Sequence, residues 1–290
     1  MPRALRTFLL LLGFACRQPQ PPIPGELTDD TGTRTALAAP PRRVVSLIPA
    51  TTELLFALGA GDRLVGRTSW CDYPAEAARI PDLGNGIEPN VEAVVAARPE
   101  LVLLYKSGAN RGAAERLRAL GLPTLELATD RIADIGRITR LLGRALDLRE
   151  AAESLVARTE DDLAAATRPP VPPSVRPSVF ILVWDRPAMT LGRGSFLSEI
   201  LERAGARNLF EDLPSSSAQV SIEAVASRDP DYILVSGTGE PAIASRPEWR
   251  VVRAVRERRF LRVQGSEFNR PSPRVGLAVR ELAAALAAKR

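Results

Sequence analysis

A chain of 290 residues is long enough for two compact units, and its 45% hydrophobic and 25% charged residues are typical of a globular protein. The 39 Lys and Arg residues are scattered among 34 Asp and Glu residues without a basic tract, which argues against nucleic-acid binding. The sequence contains no histidine and therefore lacks the usual general base and the commonest zinc ligand. We therefore expect no catalytic residues, no metal site and no cofactor.

The N-terminal residues have the pattern of an export signal. Two arginines precede an apolar run at residues 8–14, which is too short to span a bilayer but typical of a signal peptide. We predict a signal peptide over residues 1–15 and a periplasmic or cell-surface location. The segment Leu-Gly-Phe-Ala-Cys that ends this region resembles the lipobox of bacterial lipoproteins, which implies a lipid anchor on Cys16. Its small residues also fit ordinary signal cleavage, which leaves an unanchored exported protein as the alternative.

The rest of the chain divides into four predicted segments. A Gln- and Pro-rich stretch followed by a polar segment predicts a flexible tether over residues 16–41. Short β-branched strands then alternate with helices over residues 42–145, helix-favouring residues predict a connecting helix over 146–170, and a second alternating region covers 171–290. The expected fold is α/β, with two Rossmann-like lobes joined by a single long α-helix and a ligand cleft between the lobes.

An internal repeat relates the two lobes. Residues 90–104 align with residues 221–235 without a gap and share five identities, which predicts structurally equivalent segments. Each copy places a glutamate, Glu92 or Glu223, in the first turn of a helix, where the helix dipole favours a negative charge by about 0.3–1 kcal/mol. Local stabilisation alone explains these glutamates. The functional alternative is a pair of matched contacts with a partner that touches both lobes.

Aromatic residues are concentrated where the predicted strands end. In open α/β sheets, ligands bind beyond the carboxyl ends of the strands. The candidates from both lobes are Trp70, Tyr73, Tyr105, Trp184 and Phe268. Such side chains suit a ligand with a planar conjugated ring, although each of them also fits ordinary packing at a sheet edge. Arg270 is a further candidate, as a hydrogen-bond donor to an anionic or amide group of the ligand.

Four motifs together resemble one known family. They are Val-Val-Ser-Leu-Ile-Pro-Ala-Thr-Thr-Glu-Leu-Leu at residues 44–55, Cys-Asp-Tyr-Pro at 71–74, Pro-Glu-Leu-Val-Leu at 99–103 and Arg-Pro-Ser-Pro-Arg at 270–274. The region 43–288 resembles bacterial class III ABC-transporter binding proteins for vitamin B12, haem and iron siderophores. The resemblance implies a non-enzymatic protein that captures a small molecule and delivers it to an ABC permease with its ATPase.

Within that family, the Asp-Tyr-Pro segment is most similar to the cobalamin-binding branch. In that branch an acidic residue on each lobe docks onto arginines of the permease, and the matching positions are Glu92 and Glu223. The branch also implies cleft aromatics at Trp70, Tyr105, Trp184 and Phe268. Two other cleft tryptophans of the branch are missing, near Gly86 and Ser217, so stacking area is lost in both lobes.

We expect a monomeric protein whose ligand is a corrinoid, with an iron siderophore or haem as the alternative within the same family. A surface sensor or adhesin that uses this fold without transport is an alternative from another functional class. An enzyme is disfavoured because the sequence has neither a Gly-x-Ser-x-Gly motif nor a phosphate-binding Gly-Lys-Ser/Thr loop.

Overall fold

The structure, a computed structural model, describes residues 26–169 and 172–289. The predicted signal peptide and the predicted lipidation site Cys16 lie outside the described residues. Helices α1 to α9 span Pro49–Ala57, Val91–Ala96, Arg111–Ala119, Ile132–Leu146, Arg149–Ala166, Phe196–Arg203, Ile222–Arg228, Arg253–Arg256 and Val275–Ala287. No helix in the described ranges combines the length and the apolar character that crossing a membrane requires.

Two parallel four-stranded sheets form the centres of the two lobes. Strands β1 to β13 span Leu27–Thr28, Arg34–Thr35, Val44–Ser46, Leu64–Arg67, Leu101–Tyr105, Thr124–Leu127, Ser178–Ile181, Trp184–Asp185, Ala188–Thr190, Arg207–Asn208, Ala218–Gln219, Tyr232–Ser236 and Phe260–Val263. The strand order is β4-β3-β5-β6 in the first lobe and β10-β7-β12-β13 in the second, which also carries a small antiparallel sheet of order β11-β9-β8. The central strands are apolar because helices cover both faces of a parallel sheet.

The internal repeat occupies the same place in both lobes. Val44 of β3 pairs with Leu101 of β5, and Val179 of β7 pairs with Tyr232 of β12. Leu101 and Tyr232 are aligned positions of the repeat, so the two sheets share their central register as well as their strand order. The predicted α/β fold with two lobes is confirmed.

One helix, α5, connects the lobes. The sequence predicts a helix over residues 146–170, and the structure places it at Arg149–Ala166. It begins just after Asp147, whose left-handed backbone (φ of 58°) ends α4 and separates the two helices. At the other end, Thr167 is extended and Pro169 follows, so the helix does not continue.

Two glycines let α5 approach its neighbours closely. α5 packs against α4 in the first lobe and against α9 in the second. A Cβ atom on Gly143 of α4 would overlap the Cβ atom of Ala152, and one on Gly276 of α9 would overlap the carboxylate of Asp162. The connecting helix is therefore held tightly by both lobes.

The tether predicted over residues 16–41 is wrong for the part that the structure describes. Strands β1 and β2 form an antiparallel hairpin there, and Leu27 is buried in the core. Asp29 is also buried, and its carboxylate accepts hydrogen bonds from the backbone N–H of Glu126 at 3.1 Å and from the guanidinium of Arg118 at 2.9 Å. Because two-residue strands have no readable periodicity, the polar sequence concealed this hairpin.

Candidate functional site between the lobes

A buried carboxylate, that of Glu53, lies where the two lobes meet. Glu53 belongs to α1 and is only 3% exposed, while its neighbours Leu54 and Leu55 pack into the core. A carboxylate removed from water in this way must be paired and hydrogen-bonded to remain ionised. Its partners come from the other lobe.

Arg274, directly before α9 of the second lobe, forms a bidentate pair with Glu53. The Nε atom of Arg274 donates to Oε2 of Glu53 at 2.9 Å, and Nη2 donates to Oε1 at 2.7 Å. Arg274 also donates to the carboxylate of Glu267 and, at 2.9 Å, to Oγ of Ser266. Burial alone lowers the pKa of Arg274, but the hydrogen bonds and charge of Glu53, with the charge of Glu267, raise it above its usual value. The guanidinium group is therefore charged.

Arg270 and Tyr73 complete this contact. The Nη2 atom of Arg270 donates to Oδ1 of Asp72 at 2.8 Å, and Nη1 lies 3.5 Å from Oε1 of Glu53. The guanidinium of Arg274 lies 3.8 Å from the centroid of the Tyr73 ring, within range of a cation–π interaction. We call Glu53, Asp72, Tyr73, Arg270 and Arg274 the Glu53 cluster. Its first three members belong to the first lobe and its two arginines to the second.

A second contact between the lobes is centred on Glu199 of α6. Its carboxylate accepts hydrogen bonds from Nε of Arg131 at 2.7 Å and from the backbone N–H of Ile132 at 2.8 Å. Ile132 is the first residue of α4, where backbone N–H groups have no partner within the helix. The second lobe thus caps a helix of the first. We call this contact the Glu199 link.

The Glu199 link lies at a groove that runs along α5 between α4 and α6. The groove has a volume of about 1640 Å³, and its walls carry arginines from both lobes, among them Arg131, Arg144, Arg168 and Arg203. None of the aromatic residues singled out from the sequence lines this groove among the described residues. The predicted aromatic cleft is therefore a different surface.

Two of the predicted cleft aromatics expose their indole rings. Trp70 follows β4 in the first lobe and is 64% exposed, and Trp184 begins β8 in the second lobe and is 61% exposed. The indole N–H of Trp184 donates to the carbonyl oxygen of Arg186 at 2.8 Å, which orients the ring. Tyr73 is less exposed because its ring stacks against Arg274. A role for these three side chains in ligand binding stays a prediction.

Tyr105 and Phe268 are less accessible than the sequence suggests. The hydroxyl of Tyr105 donates to Oδ1 of Asp130 at 2.6 Å, and burial, with the hydrogen bond and charge of Asp130, raises the pKa of the phenol. Phe268 is 2% exposed and packs in the core, so the expectation that it lines the cleft is wrong for this structure. The 3₁₀ turn Ser266–Phe268 after β13 places this residue against the core instead.

Arg270 is engaged with the protein itself. The sequence predicts it as a donor to the ligand, and the structure pairs it with Asp72 and places it next to Glu53. Its Nη1 atom is buried without a hydrogen-bond partner among the described residues. Ligand binding by Arg270 stays a prediction.

The backbone explains one of the two missing tryptophans. A Cβ atom on Gly86 would overlap the carbonyl oxygen of Leu47, so no side chain fits there unless the backbone moves. Nδ2 of Asn110 donates to the carbonyl oxygen of Gly86 at 3.1 Å and holds this loop in place. The other position, Ser217, is exposed and nothing in the structure explains its identity.

The two repeat glutamates lie on matching helices. The side chains of Asn90 and Ser221 cap α2 and α7 by accepting from the backbone N–H three residues later, at 2.9 Å and 3.1 Å respectively. Glu92 and Glu223 follow each cap by two residues, and both are exposed. Within the described part of the chain, no hydrogen bond or ion pair occupies either carboxylate. Both charges are therefore available to a partner.

Sequence reasoning did not select Glu53, Arg274 or Glu199. A signal for Glu53 was present, because a charged residue among the apolar residues of α1 is almost never fully buried unless it is paired. No local pattern identifies Glu199 as a contact between lobes, because its partners Arg131 and Ile132 are 68 and 67 residues away.

Comparison with known proteins identifies the family. A family model described as "Periplasmic binding protein" matches residues 44–265. The chain belongs to the periplasmic binding protein family. The resemblance inferred from the four motifs is thereby confirmed, and this family member is an exported binding protein.

Two relatives and one solved structure illustrate the similarity of this periplasmic binding protein to others. The vitamin B12-binding protein of Pectobacterium carotovorum subsp. carotovorum (strain PC1) is 29% identical over 265 residues, which cover 88% of this chain and 91% of the relative. An uncharacterised ABC transporter substrate-binding lipoprotein of Bacillus subtilis (strain 168) is 29% identical over 267 residues, with coverages of 90% and 84%. The periplasmic haem-binding protein RhuT from Roseiflexus sp. RS-1, in apo form, has a TM-score of 0.75 and 26% identity, with coverages of 85% and 98%.

Proposed function

We propose that this periplasmic binding protein is the substrate-binding component of an ABC importer. It captures a corrinoid between its lobes and delivers it to a permease that is driven by an ATPase. The observation that carries the proposal is the pair of exposed, unpaired glutamates, Glu92 and Glu223, on equivalent capped helices of the two lobes. The similarity to an ABC transporter substrate-binding lipoprotein supports the same role.

Docking by these glutamates depends on charge complementarity. Two carboxylates that are exposed and have no partner in the described residues can pair with arginines of a permease without breaking contacts within this protein. Charged groups at the rim of an interface mainly speed association and fix the relative orientation of the partners. One glutamate on each lobe therefore specifies a two-point contact.

Reversal of both charges tests docking. We expect the double variant Glu92→Arg/Glu223→Arg to abolish uptake of labelled cyanocobalamin by cells that also produce the permease and ATPase, with unchanged ligand affinity. A matched control, Glu115→Arg/Glu211→Arg, reverses one exposed glutamate in each lobe outside the repeat and should retain uptake. Undiminished uptake by the first double variant would refute docking through these residues. Binding without uptake by the wild-type protein would favour a sensor or adhesin.

The ligand half of the proposal rests on the two exposed indoles. Trp70 and Trp184 offer flat apolar surfaces, the first shortly after β4 of the first lobe and the second at the start of β8 of the second lobe. A ligand with a large planar ring can contact such surfaces, and each aromatic contact contributes about 0.5–1.5 kcal/mol beyond the buried area. The similarity to a vitamin B12-binding protein favours a corrinoid, and the similarity to a haem-binding structure supports haem as the second candidate.

Calorimetry with cyanocobalamin, haemin and a ferric hydroxamate separates these candidates. We expect cyanocobalamin to bind at micromolar protein concentration, and Trp70→Ala and Trp184→Ala each to weaken binding roughly 10-fold. Leu120→Ala, which removes a similarly exposed apolar side chain directly after α3, should leave affinity unchanged. Binding of haemin but not of cyanocobalamin would refute a corrinoid as the ligand and would favour haem.

The membrane attachment is proposed from the lipobox alone. Acylation of Cys16 would anchor this protein to a membrane of the cell envelope. We propose separately that the protein is a monomer. The mass of the mature N-terminus is expected to include the lipid, and Cys16→Ser should release the protein from the membrane fraction. An N-terminus without lipid would leave a soluble exported protein, and a dimer in light scattering would exclude the monomer.

A further inference from the structure

Two carboxylates that the sequence did not single out join the lobes in a reciprocal manner. Glu53 of the first lobe is held by Arg270 and Arg274 of the second. Glu199 of the second lobe is held by Arg131 and by the first residue of α4 in the first lobe. Each lobe therefore contributes one acceptor and one set of donors to the boundary.

These contacts are additional to the covalent connection through α5. α5 packs closely on α4 and on α9, so the freedom left to the lobes is bending or twisting along this helix. One direct contact between the lobes removes part of this freedom, and a second contact at a separate place restrains what remains. The Glu53 cluster involves α1 and the segment before α9, whereas the Glu199 link involves α4 and α6. The two contacts therefore use different elements of both lobes.

The geometry points to Glu53 and Glu199 as positioning residues that fix the relative orientation of the lobes before a ligand binds. This orientation also fixes the spacing between Glu92 and Glu223, since each glutamate lies on a capped helix within its own lobe. The effect of this spacing on docking rests on the proposed function, whereas the fixed orientation of the lobes does not depend on it.

The two contacts differ in their exposure to water. The side chain of Glu53 is 2% exposed, and the arginines that hold it are 11% and 15% exposed. The side chain of Glu199 is 20% exposed and that of Arg131 is 57% exposed. Salt screens an exposed pair far more than a buried one. We therefore expect added salt to weaken the Glu199 link more than the Glu53 cluster.

Small-angle X-ray scattering of the full chain tests the orientation. We expect Glu53→Gln and Glu199→Gln each to leave the scattering profile close to that of the wild type, because the other contact remains. The double variant should have a larger radius of gyration and a broader distance distribution. Wild-type scattering from the double variant would overturn the inference.

Matched control variants separate a loss of orientation from a loss of stability. Glu126→Gln removes a buried carboxylate that pairs with Arg118 inside the first lobe, and Glu202→Gln removes a carboxylate of α6 that pairs with Arg176 inside the second. We expect this control pair to lower the melting temperature without changing the scattering profile. If the control pair changed the scattering profile as much as the Glu53→Gln/Glu199→Gln double variant, the change would be explained by a general loss of stability.

Uptake kinetics give a readout that a purely structural role would not move. If only about one tenth of the double-variant molecules have the docking orientation, the concentration of binding protein for half-maximal uptake rises about 10-fold at an unchanged maximal rate. A fall in maximal rate alone would contradict positioning. If Glu92→Arg/Glu223→Arg leaves uptake intact, the docking proposal fails, while the scattering result still judges the orientation.

One variant keeps the test valid if Glu53→Gln does not fold. Glu199→Gln changes a partly exposed residue, so we expect it to fold. The two contacts restrain the same motion. In Glu199→Gln, the backbone amide hydrogens near Asn269, beside the Glu53 cluster, should therefore exchange with solvent at least several-fold faster than in the wild type. Glu202→Gln should leave this exchange unchanged. Equal exchange in Glu199→Gln and wild type would overturn the coupling between the contacts.

Discussion

Replacement of Arg274 by alanine tests whether the buried carboxylate depends on the opposite lobe. After this change the nearest guanidinium group to Glu53 is that of Arg270, at 3.5 Å and without a hydrogen bond. Removal of one partner from a buried ion pair destabilises a protein by about 3–5 kcal/mol, because the other charge remains buried without compensation. At about 4 °C per kcal/mol for a lobe of roughly 100 residues, the melting temperature should fall by roughly 12–20 °C.

Differential scanning calorimetry measures this effect against a control on α9, the helix that follows Arg274. Arg280 of α9 pairs with Asp162 of α5 at 2.6 Å, but the two side chains are 48% and 42% exposed. Exposed pairs contribute about 0–1 kcal/mol, so Arg280→Ala should lower the melting temperature by no more than a few degrees. If Arg274→Ala has the same melting temperature as Arg280→Ala, the Glu53 carboxylate does not require its bidentate partner and the prediction is refuted.

Three further changes test local features. Asn90→Ala should lower the free energy of unfolding by about 1 kcal/mol in urea titrations, through loss of the α2 cap, and an unchanged midpoint would contradict this. Gly276→Ala should lower it by about 1–3 kcal/mol, because the new Cβ atom overlaps Asp162, and crystallography should show α9 displaced from α5. Asp130→Asn should lower the pKa of Tyr105 by removing a charge that raises it, so its phenolate absorbance should appear at lower pH than in the wild type.

The parts of the fold that repeat locally were predictable from the sequence. Strand β5 is a continuous apolar run and β12 repeats it, so both central strands could be placed before their register was known. The helix-favouring pattern is interrupted near Asp147, but the boundaries of α5 were predicted a few residues too wide, since composition alone does not show at which residue the backbone becomes left-handed.

The contacts between lobes were not predictable, because they join residues far apart in sequence. Glu53 and Arg274 are separated by 221 positions, so no local pattern pairs them, even though the apolar neighbours of Glu53 indicate a charge that needs a partner. Phe268 shows that local position can also suggest a site residue where the structure has a core residue. Its position just after a strand fits a cleft, but only the three-dimensional packing shows that its ring is buried.

The folded hairpin of β1 and β2 has a consequence for how far the protein can travel. A free chain over residues 16–41 could reach about 90 Å, whereas residues 16–25, which precede the described structure, span at most about 36 Å. With Cys16 as the proposed attachment point, this short tether would keep the lobes close to the membrane surface. A short tether raises the effective concentration of the binding protein at its permease without any new contact.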